Sequence, residues 1–159
     1  MHIYLRDCHL VLRDTIVSRS DGPKGWGTWV CRAIMHANSD SGGKNVILKC
    51  ICPSETSEVE LIKEATEKAT GNSFWVRDHL PHLLCQFDAV PHQLGISDLC
   101  GEEEEHRVSV AVFEELFPIT DLTNAEDLGK AFHDIFRCYR WLYEIAGILH
   151  RDISLSNLM

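Results

Sequence analysis

Two β-rich runs joined by a polar turn restrict the fold of this chain more than any other feature of its sequence. The first run, WVCRAIMH, covers residues 29–36, and the second, NVILKCI, covers residues 45–51. Tryptophan and the β-branched residues favour extended backbone. The intervening NSDSGGK at residues 38–44 is rich in the residue types that favour turns. Together they predict an antiparallel pair of strands.

The rest of the chain contains further segments of regular pattern. Alternating or apolar runs at 10–19 and 108–116 predict strands. Residues 54–69 predict a helix that ends at Gly71 and Asn72, and residues 126–147 predict a long amphipathic helix that ends at Gly147. Prolines interrupt the stretch between the two helices. This order of elements predicts an α+β fold.

Composition excludes several classes of protein. The net charge of −9 argues against nucleic-acid binding as the main activity, because phosphate contacts need clustered Lys and Arg. Apolar runs stay well short of the roughly 18 residues of a membrane span, so we expect no membrane partner. Charged residues interrupt the apolar N-terminal segment, which is not typical of a signal peptide. The seven cysteines include no CxxC pair. They favour reduced thiols and a cytoplasmic or nuclear location.

A cluster of polar residues near the C-terminus is the strongest functional motif. His150, Arg151 and Asp152 follow the apolar Ile148 and Leu149, and Asn157 comes five residues after the aspartate. An aspartate can orient an attacking hydroxyl and an amide can ligate Mg²⁺ from the two ends of one short loop. The H-R-D-x-x-x-x-N spacing is too specific for an ordinary surface loop.

This segment, ILHRDISLSNLM, resembles the catalytic loop of eukaryotic-type protein kinases. With the preceding WLYEIAG it closely resembles the fungal-type protein kinase family found in basidiomycetes. The resemblance implies Asp152 as catalytic base, Asn157 as a metal ligand, and His150 and Arg151 as organisers of the loop. It implies ATP and Mg²⁺ as cofactors and a protein as substrate. Arg151 counts against small-molecule kinases of the aminoglycoside-phosphotransferase type, which usually lack an arginine there.

Other kinase-like elements follow in the expected order. GPKGWGTWV at residues 22–30 resembles a glycine-rich phosphate-binding loop, in which Gly25, Gly27 and Thr28 would lie near the nucleotide. VILK at residues 46–49 resembles the strand that carries the phosphate-binding lysine, here Lys49.

The resemblance also implies a glutamate partner for Lys49 and a nucleotide-binding hinge. Glu58, Glu60 and Glu64 compete for the first role; we favour Glu58, because the residue four positions later, Ile62, is apolar. An acidic first turn that is merely favoured by the helix dipole is the alternative.

VSVAVFEELFPITDL at residues 108–122 resembles the fifth strand and the hinge between kinase lobes. Val112 or Phe113 would lie behind the adenine. Backbone groups around Glu114 to Leu116 would hydrogen-bond its edge.

We therefore expect a protein-kinase-like fold, with an antiparallel N-lobe sheet and one helix followed by the beginning of a helical C-lobe. The expected division is an N-terminal extension at 1–9, an N-lobe and hinge at 10–117 with an irregular, acidic insert near 72–107, and the start of a C-lobe at 118–159.

Two departures from the kinase pattern leave other functions open. Ser154 stands where a lysine is often found, and no D-F-G follows Asn157. We therefore expect the 159 residues alone to lack protein kinase activity. The alternatives to a Ser/Thr-type protein kinase are a non-catalytic nucleotide-binding or interaction module and a small-molecule phosphotransferase of related fold.

Overall fold

The computed structural model describes residues 1–21, 26–37, 42–52, 58–96 and 108–149. The catalytic loop predicted at 150–157 lies outside these ranges. Within them, the chain forms one antiparallel sheet and a set of helices, so the predicted α+β class is confirmed.

The described strands are β1 (His2–Tyr4), β2 (Cys8–Asp21), β3 (Trp26–Ala37), β4 (Gly43–Cys52), β5 (Leu83–Ala89) and β6 (Val108–Glu114). The described helices are α1 (Glu58–Lys68) and α2 (Ala125–Trp141), with a π-helical turn at Leu142–Ala146 and 3₁₀ segments at Gly71–His79, Pro91–Leu94 and Ile119–Asp121.

The six strands pair in the order β1-β2-β3-β4-β6-β5. The antiparallel pair predicted from the two β-rich runs is β3 and β4, in a register that sets Val30 opposite Lys49 and His36 opposite Gly43. A side chain at position 43 would collide with Ile34, so the turn end needs a glycine. β6 then pairs with β4, although 55 residues separate Cys52 from Val108 along the chain.

The sheet is curled around an apolar core. Every second residue of the central strands faces this core, as the two-residue period of a strand requires. Its fully buried side chains are Leu10, Cys31, Val46, Leu48, Cys50, Val108, Val110 and Val112. The edge strands also contribute, because Ile3 of β1 and Phe87 of β5 pack against the same cluster. Curling therefore lets both edges of the sheet share one core.

Two regions differ from the sequence-based expectation. The segment predicted to be irregular near 72–107 includes β5, which pairs with β6 along the other edge of the sheet. Pro81 and Pro91 flank this strand, so the local sequence pattern does not predict it. In the fold, pairing with β6 supplies the backbone hydrogen bonds that a strand requires. The segment predicted as an N-terminal extension at 1–9 also joins the sheet, with Tyr4 of β1 opposite His9 of β2.

The helices form a second cluster of their own. The indole of Trp141 donates a hydrogen bond to Ser73 (2.9 Å), and Lys68 at the end of α1 donates to the carbonyl oxygen of Ala146 (2.7 Å). Gly147, at φ +72°, ends the helical segment as the sequence predicts. None of the helices described is long and apolar enough to cross a membrane.

By compactness, the chain divides into a sheet unit and a helical unit. The sheet unit consists of Met1–Thr56 and His82–Glu115, and the helical unit consists of Ser57–Pro81 and Leu116–Met159. This division groups α1 with α2, whereas the predicted division at residue 117 keeps α1 with the sheet. The predicted domain boundaries stay a prediction.

Leu48 offers a test of the sheet core. We expect Leu48→Ala to lower the free energy of unfolding by about 2–5 kcal/mol, because it leaves a cavity in a fully buried position. Urea denaturation monitored by circular dichroism measures the loss. Leu61→Ala, at an exposed position on α1, is the matched control and should change stability by about 0.5 kcal/mol or less. Equal losses in the two variants would contradict this placement of the core.

Candidate functional site

Lys49 lies on the face of β4 that points away from the apolar core. Its neighbours Leu48 and Cys50 are fully buried in that core, so the alternation of the strand turns Lys49 to the opposite face. Val30 of β3 and Ala111 of β6 stand directly opposite it on the two flanking strands. The lysine is half-buried at the centre of the sheet. From the sequence alone, a lysine after three apolar residues could also be a charge at the end of a strand, and the structure excludes that alternative.

Thr28 shares this face with Lys49. Thr28 pairs with Ile51, two residues beyond Lys49 on β4. The two side chains are therefore diagonal neighbours on adjacent strands, about 7–8 Å apart. A hydroxyl and an ammonium group at this spacing could contact the same polyanion.

Val112 and Phe113, the two candidates for contact with the adenine, lie on opposite faces of the sheet. Val112 is fully buried in the core that contains Leu48. Phe113 pairs with Ile47, two residues before Lys49, and so lies on the lysine face. Of the two, only Phe113 shares a face with Lys49 and Thr28.

The predicted glycine-rich loop is described only in part. Gly27 belongs to β3, where it pairs with Ser20 and Cys52. Thr28 follows Gly27 in β3, so the last residues of the predicted loop belong to a strand. Gly25 lies outside the described residues.

Glu114, the first residue of the predicted hinge, is tied to neighbouring strands. Its backbone N–H donates to the carbonyl oxygen of His82 (3.1 Å) and is not available to a nucleotide. Its carboxylate contacts the imidazole of His82 and the ammonium group of Lys44, both at 3.0 Å. These hydrogen bonds, that from His82 first, lower the pKa of the Glu114 carboxyl. Any contact of this residue with an adenine edge would have to use its carbonyl group.

The residues after Glu114 leave the sheet. Arg32 of β3 donates to the carboxylate of Glu115 at 2.8 Å. Leu116 follows in an exposed position. The predicted hinge therefore begins at an anchored strand end and continues into exposed chain.

Among the three glutamates of α1 that compete to pair with Lys49, Glu64 has an established partner. Lys68 donates to its carboxylate at 2.7 Å, one helical turn away. Glu58 is the first residue of α1 and is exposed, and Ile62 four residues later is buried, as expected. The pairing of Glu58 with Lys49 stays a prediction.

The motif with the strongest functional signal is not part of the described structure. His150, Arg151, Asp152 and Asn157 all lie outside the described residues. The structure describes the chain up to Leu149, just after Gly147 has ended the helix. The roles assigned to these four residues stay predictions.

Comparison with known families bears on this end of the chain. Residues 105–159 match the model of the fungal protein kinase family. The match confirms the resemblance predicted from the sequence and covers the C-terminal third of the chain, from the predicted hinge strand through α2 to the H-R-D motif. No curated protein and no solved structure matches the chain.

The described residues fit the phosphate groups of a nucleotide chemically. A half-buried lysine and a nearby threonine hydroxyl on one sheet face supply a positive charge and a hydrogen-bond donor to phosphate oxygens. The residue predicted to hold Mg²⁺, Asn157, lies outside the described part of the chain. No group of three or more His, Cys, Asp or Glu side chains suitable for a metal ion occurs among residues 1–149 as far as they are described.

Sequence reasoning missed the anchoring of Glu114 by Lys44 and His82. Both partners are far from Glu114 along the chain, and no local motif links the three. Only the pairing of β6 with β4 and β5 brings them together.

We expect the Glu114 carboxyl to titrate below the usual pH of a glutamate. Its pKa is lowered in the folded state, so its contribution to stability is complete above the unfolded pKa and is lost as pH falls through the folded pKa. Carboxyl-carbon NMR measures the titration, and His82→Ala or Lys44→Ala should move it upward. Lys130→Ala removes a lysine that pairs with Glu126 on α2 and should leave it in place. An unmoved titration in both Glu114-partner variants would contradict the assigned cause.

Proposed function

We propose that this chain is part of a protein kinase domain that transfers the γ-phosphoryl group of Mg·ATP to a Ser or Thr hydroxyl of a protein. The observation that carries the proposal is the H-R-D-x-x-x-x-N motif at residues 150–157, inside the segment that matches the fungal protein kinase family. The family match by itself suggests a kinase-like function. We extend it to ATP as the phosphoryl donor, a protein as the acceptor and Ser or Thr as the side chain that is phosphorylated.

The sheet unit supplies the proposed nucleotide-binding surface. Lys49 would offset the negative charge of the phosphates, and Thr28 would add a hydrogen bond on the same face. Phe113 would present its ring to the adenine, and the backbone near Glu114 and Leu116 would bind the adenine edge. The strand register supports this arrangement because it puts Thr28, Lys49 and Phe113 on one face.

The C-terminal motif supplies the proposed catalytic groups. Asp152 would accept a hydrogen bond from the acceptor hydroxyl and take up its proton, while His150 and Arg151 would hold the loop in shape. Asn157 would ligate Mg²⁺. Glu58 would orient Lys49. When bound, Mg·ATP supplies the phosphoryl group and the charge neutralisation that the transfer requires.

Loss of the lysine charge tests the nucleotide site. We expect Lys49→Met to weaken binding of Mg·ATP by about tenfold or more, because a charge-assisted contact with phosphate contributes about 1.5–3 kcal/mol. Isothermal titration calorimetry on the whole chain measures the affinity, and circular dichroism checks that the variant is folded. Lys130→Met, on the exposed side of α2, is the control and should bind like the wild type. An unchanged affinity in Lys49→Met would refute the assignment of this lysine.

The metal site is tested by the same titration with and without Mg²⁺. We expect Mg²⁺ to strengthen ATP binding, and we expect Asn157→Ala to reduce that gain because a ligand of the ion is lost. Asn72→Ala removes an exposed asparagine of the 3₁₀ segment Gly71–His79 and should keep the full gain. A full gain in Asn157→Ala would remove this residue from the metal site.

A transfer assay separates the proposed activity from its alternatives. Label transferred from γ-labelled ATP to a protein such as casein, and lost in Asp152→Asn, would support a protein kinase. Label transferred only to small hydroxyl compounds would indicate a small-molecule phosphotransferase. ATP binding without any transfer is the result we expect of the 159 residues alone, and it would fit both a part of a protein kinase domain and the non-catalytic module.

A further inference from the structure

An ion pair ties the end of β6 to a strand with which β6 does not pair. Arg32 lies in β3, and Glu115 is the residue that directly follows β6. The sheet order puts β4 between β3 and β6, so the hydrogen bond from Arg32 Nε to Glu115 Oε1 (2.8 Å) crosses β4. Neighbouring strands lie about 4.8 Å apart, and the long arginine side chain spans two such intervals. Strand pairing alone does not produce this contact.

Arg32 lies on the face of the sheet that carries the proposed nucleotide-binding residues. The residues on either side of it in the sequence are both buried in the core, so alternation turns Arg32 to the opposite face. Arg32 pairs with Ile47 of β4, and Ile47 pairs with Phe113 of β6. Arg32 and Phe113 therefore belong to one row of residues across three strands, on the face that also contains Lys49.

Arg32 offsets the charge of a mostly buried carboxylate. The side chain of Glu115 is only 16% exposed, whereas that of Arg32 is 54% exposed. An unpaired charge is costly to remove from water, so the carboxylate is stable at this place because the guanidinium binds it. Arg140 and Glu144 form a pair of the same chemistry at the end of α2, where both side chains are far more exposed than Glu115. Such a surface pair contributes little to stability.

Glu114 and Glu115 are held by partners on opposite faces of the sheet. Successive side chains of an extended segment point in opposite directions. Lys44 and His82 bind the carboxylate of Glu114, and Arg32 binds that of Glu115. Two successive side chains held in this way restrict rotation of the peptide group between them. The sheet unit ends at Glu115, so the restricted peptide group is the last one of that unit.

We propose that the ion pair of Arg32 with Glu115 positions the hinge for the adenine ring, which makes Arg32 a positioning residue of the nucleotide site. This role rests on the proposed function, in which backbone groups between Glu114 and Leu116 bind the adenine edge. A hydrogen bond requires its donor and acceptor in defined directions, and backbone that is already ordered loses less entropy on binding. The phosphates would contact the region of Lys49, so the ion pair acts on the adenine end of the nucleotide.

A double variant of unchanged net charge isolates the ion pair. Arg32→Met together with Glu115→Gln removes the bond, and the protein attracts phosphate groups over long range as before. Arg32→Glu together with Glu115→Arg restores an ion pair of reversed polarity. Arg140→Met together with Glu144→Gln removes the exposed pair at the end of α2 and is the matched control.

Adenosine and inorganic tripolyphosphate probe the two ends of the nucleotide separately. Isothermal titration calorimetry on the whole chain measures both affinities, and circular dichroism checks that each variant is folded. We expect Arg32→Met/Glu115→Gln to weaken adenosine binding about three- to tenfold, the equivalent of one hydrogen bond, and to leave tripolyphosphate binding unchanged. The charge-reversed variant should regain most of the lost affinity, and the α2 control should bind both compounds like the wild type.

Two results of the titrations would overturn the role of the ion pair while the proposed function stands. One is an adenosine affinity that is unchanged in Arg32→Met/Glu115→Gln or that stays low in the charge-reversed variant. The other is an equal loss for adenosine and tripolyphosphate, because a contact that only stabilises the fold would affect the whole site. A wild-type protein that binds neither adenosine nor ATP would overturn the proposed function itself, and the positioning role with it.

NMR of the wild-type protein keeps the test decisive even if a variant folds poorly. We expect adenosine to shift the backbone amide signals of Glu115 and Leu116, and tripolyphosphate to leave them in place. Amide signals that do not respond to adenosine, in a protein that binds ATP, would show that the hinge does not contact the adenine and would refute the positioning role of Arg32.

Discussion

The alternation of side chains along β4 is the constraint on which the rest of the molecule depends. Leu48 and Cys50 must be buried to form the core, and this places Lys49 between them on the opposite face. A shift of one residue in the register would bury the lysine charge and expose the apolar side chains, at a cost that no contact on the other face could offset. The same hydrophobic burial that stabilises the sheet therefore positions its most important candidate binding residue.

The neighbours of β4 complete the surface by the same rule. β3 contributes Thr28 and β6 contributes Phe113 because each pairs with β4 in a register that its own buried residues impose. The predicted hinge begins where β6 ends, and Glu114 is held there by Lys44 of β4 and by His82, which directly precedes β5. Nucleotide binding at this surface would thus use groups that the core has already placed, which lowers the ordering cost of binding.

The local patterns of the sequence were sufficient for the β3–β4 pair, for α1 and α2, and for the strand that became β6, because alternation, turn residues and helix periodicity act over neighbouring residues. The H-R-D motif likewise indicated, from a few residues of fixed spacing, the resemblance to the fungal protein kinase family that the match over residues 105–159 confirms. Tertiary structure alone decided that β5 joins the sheet, that Phe113 and not Val112 shares a face with Lys49, and that Glu114 is anchored by Lys44 and His82. Each of these depends on strand pairing or sheet curvature between segments distant in the chain, which is set by burial of a common core and leaves no local signal in the sequence.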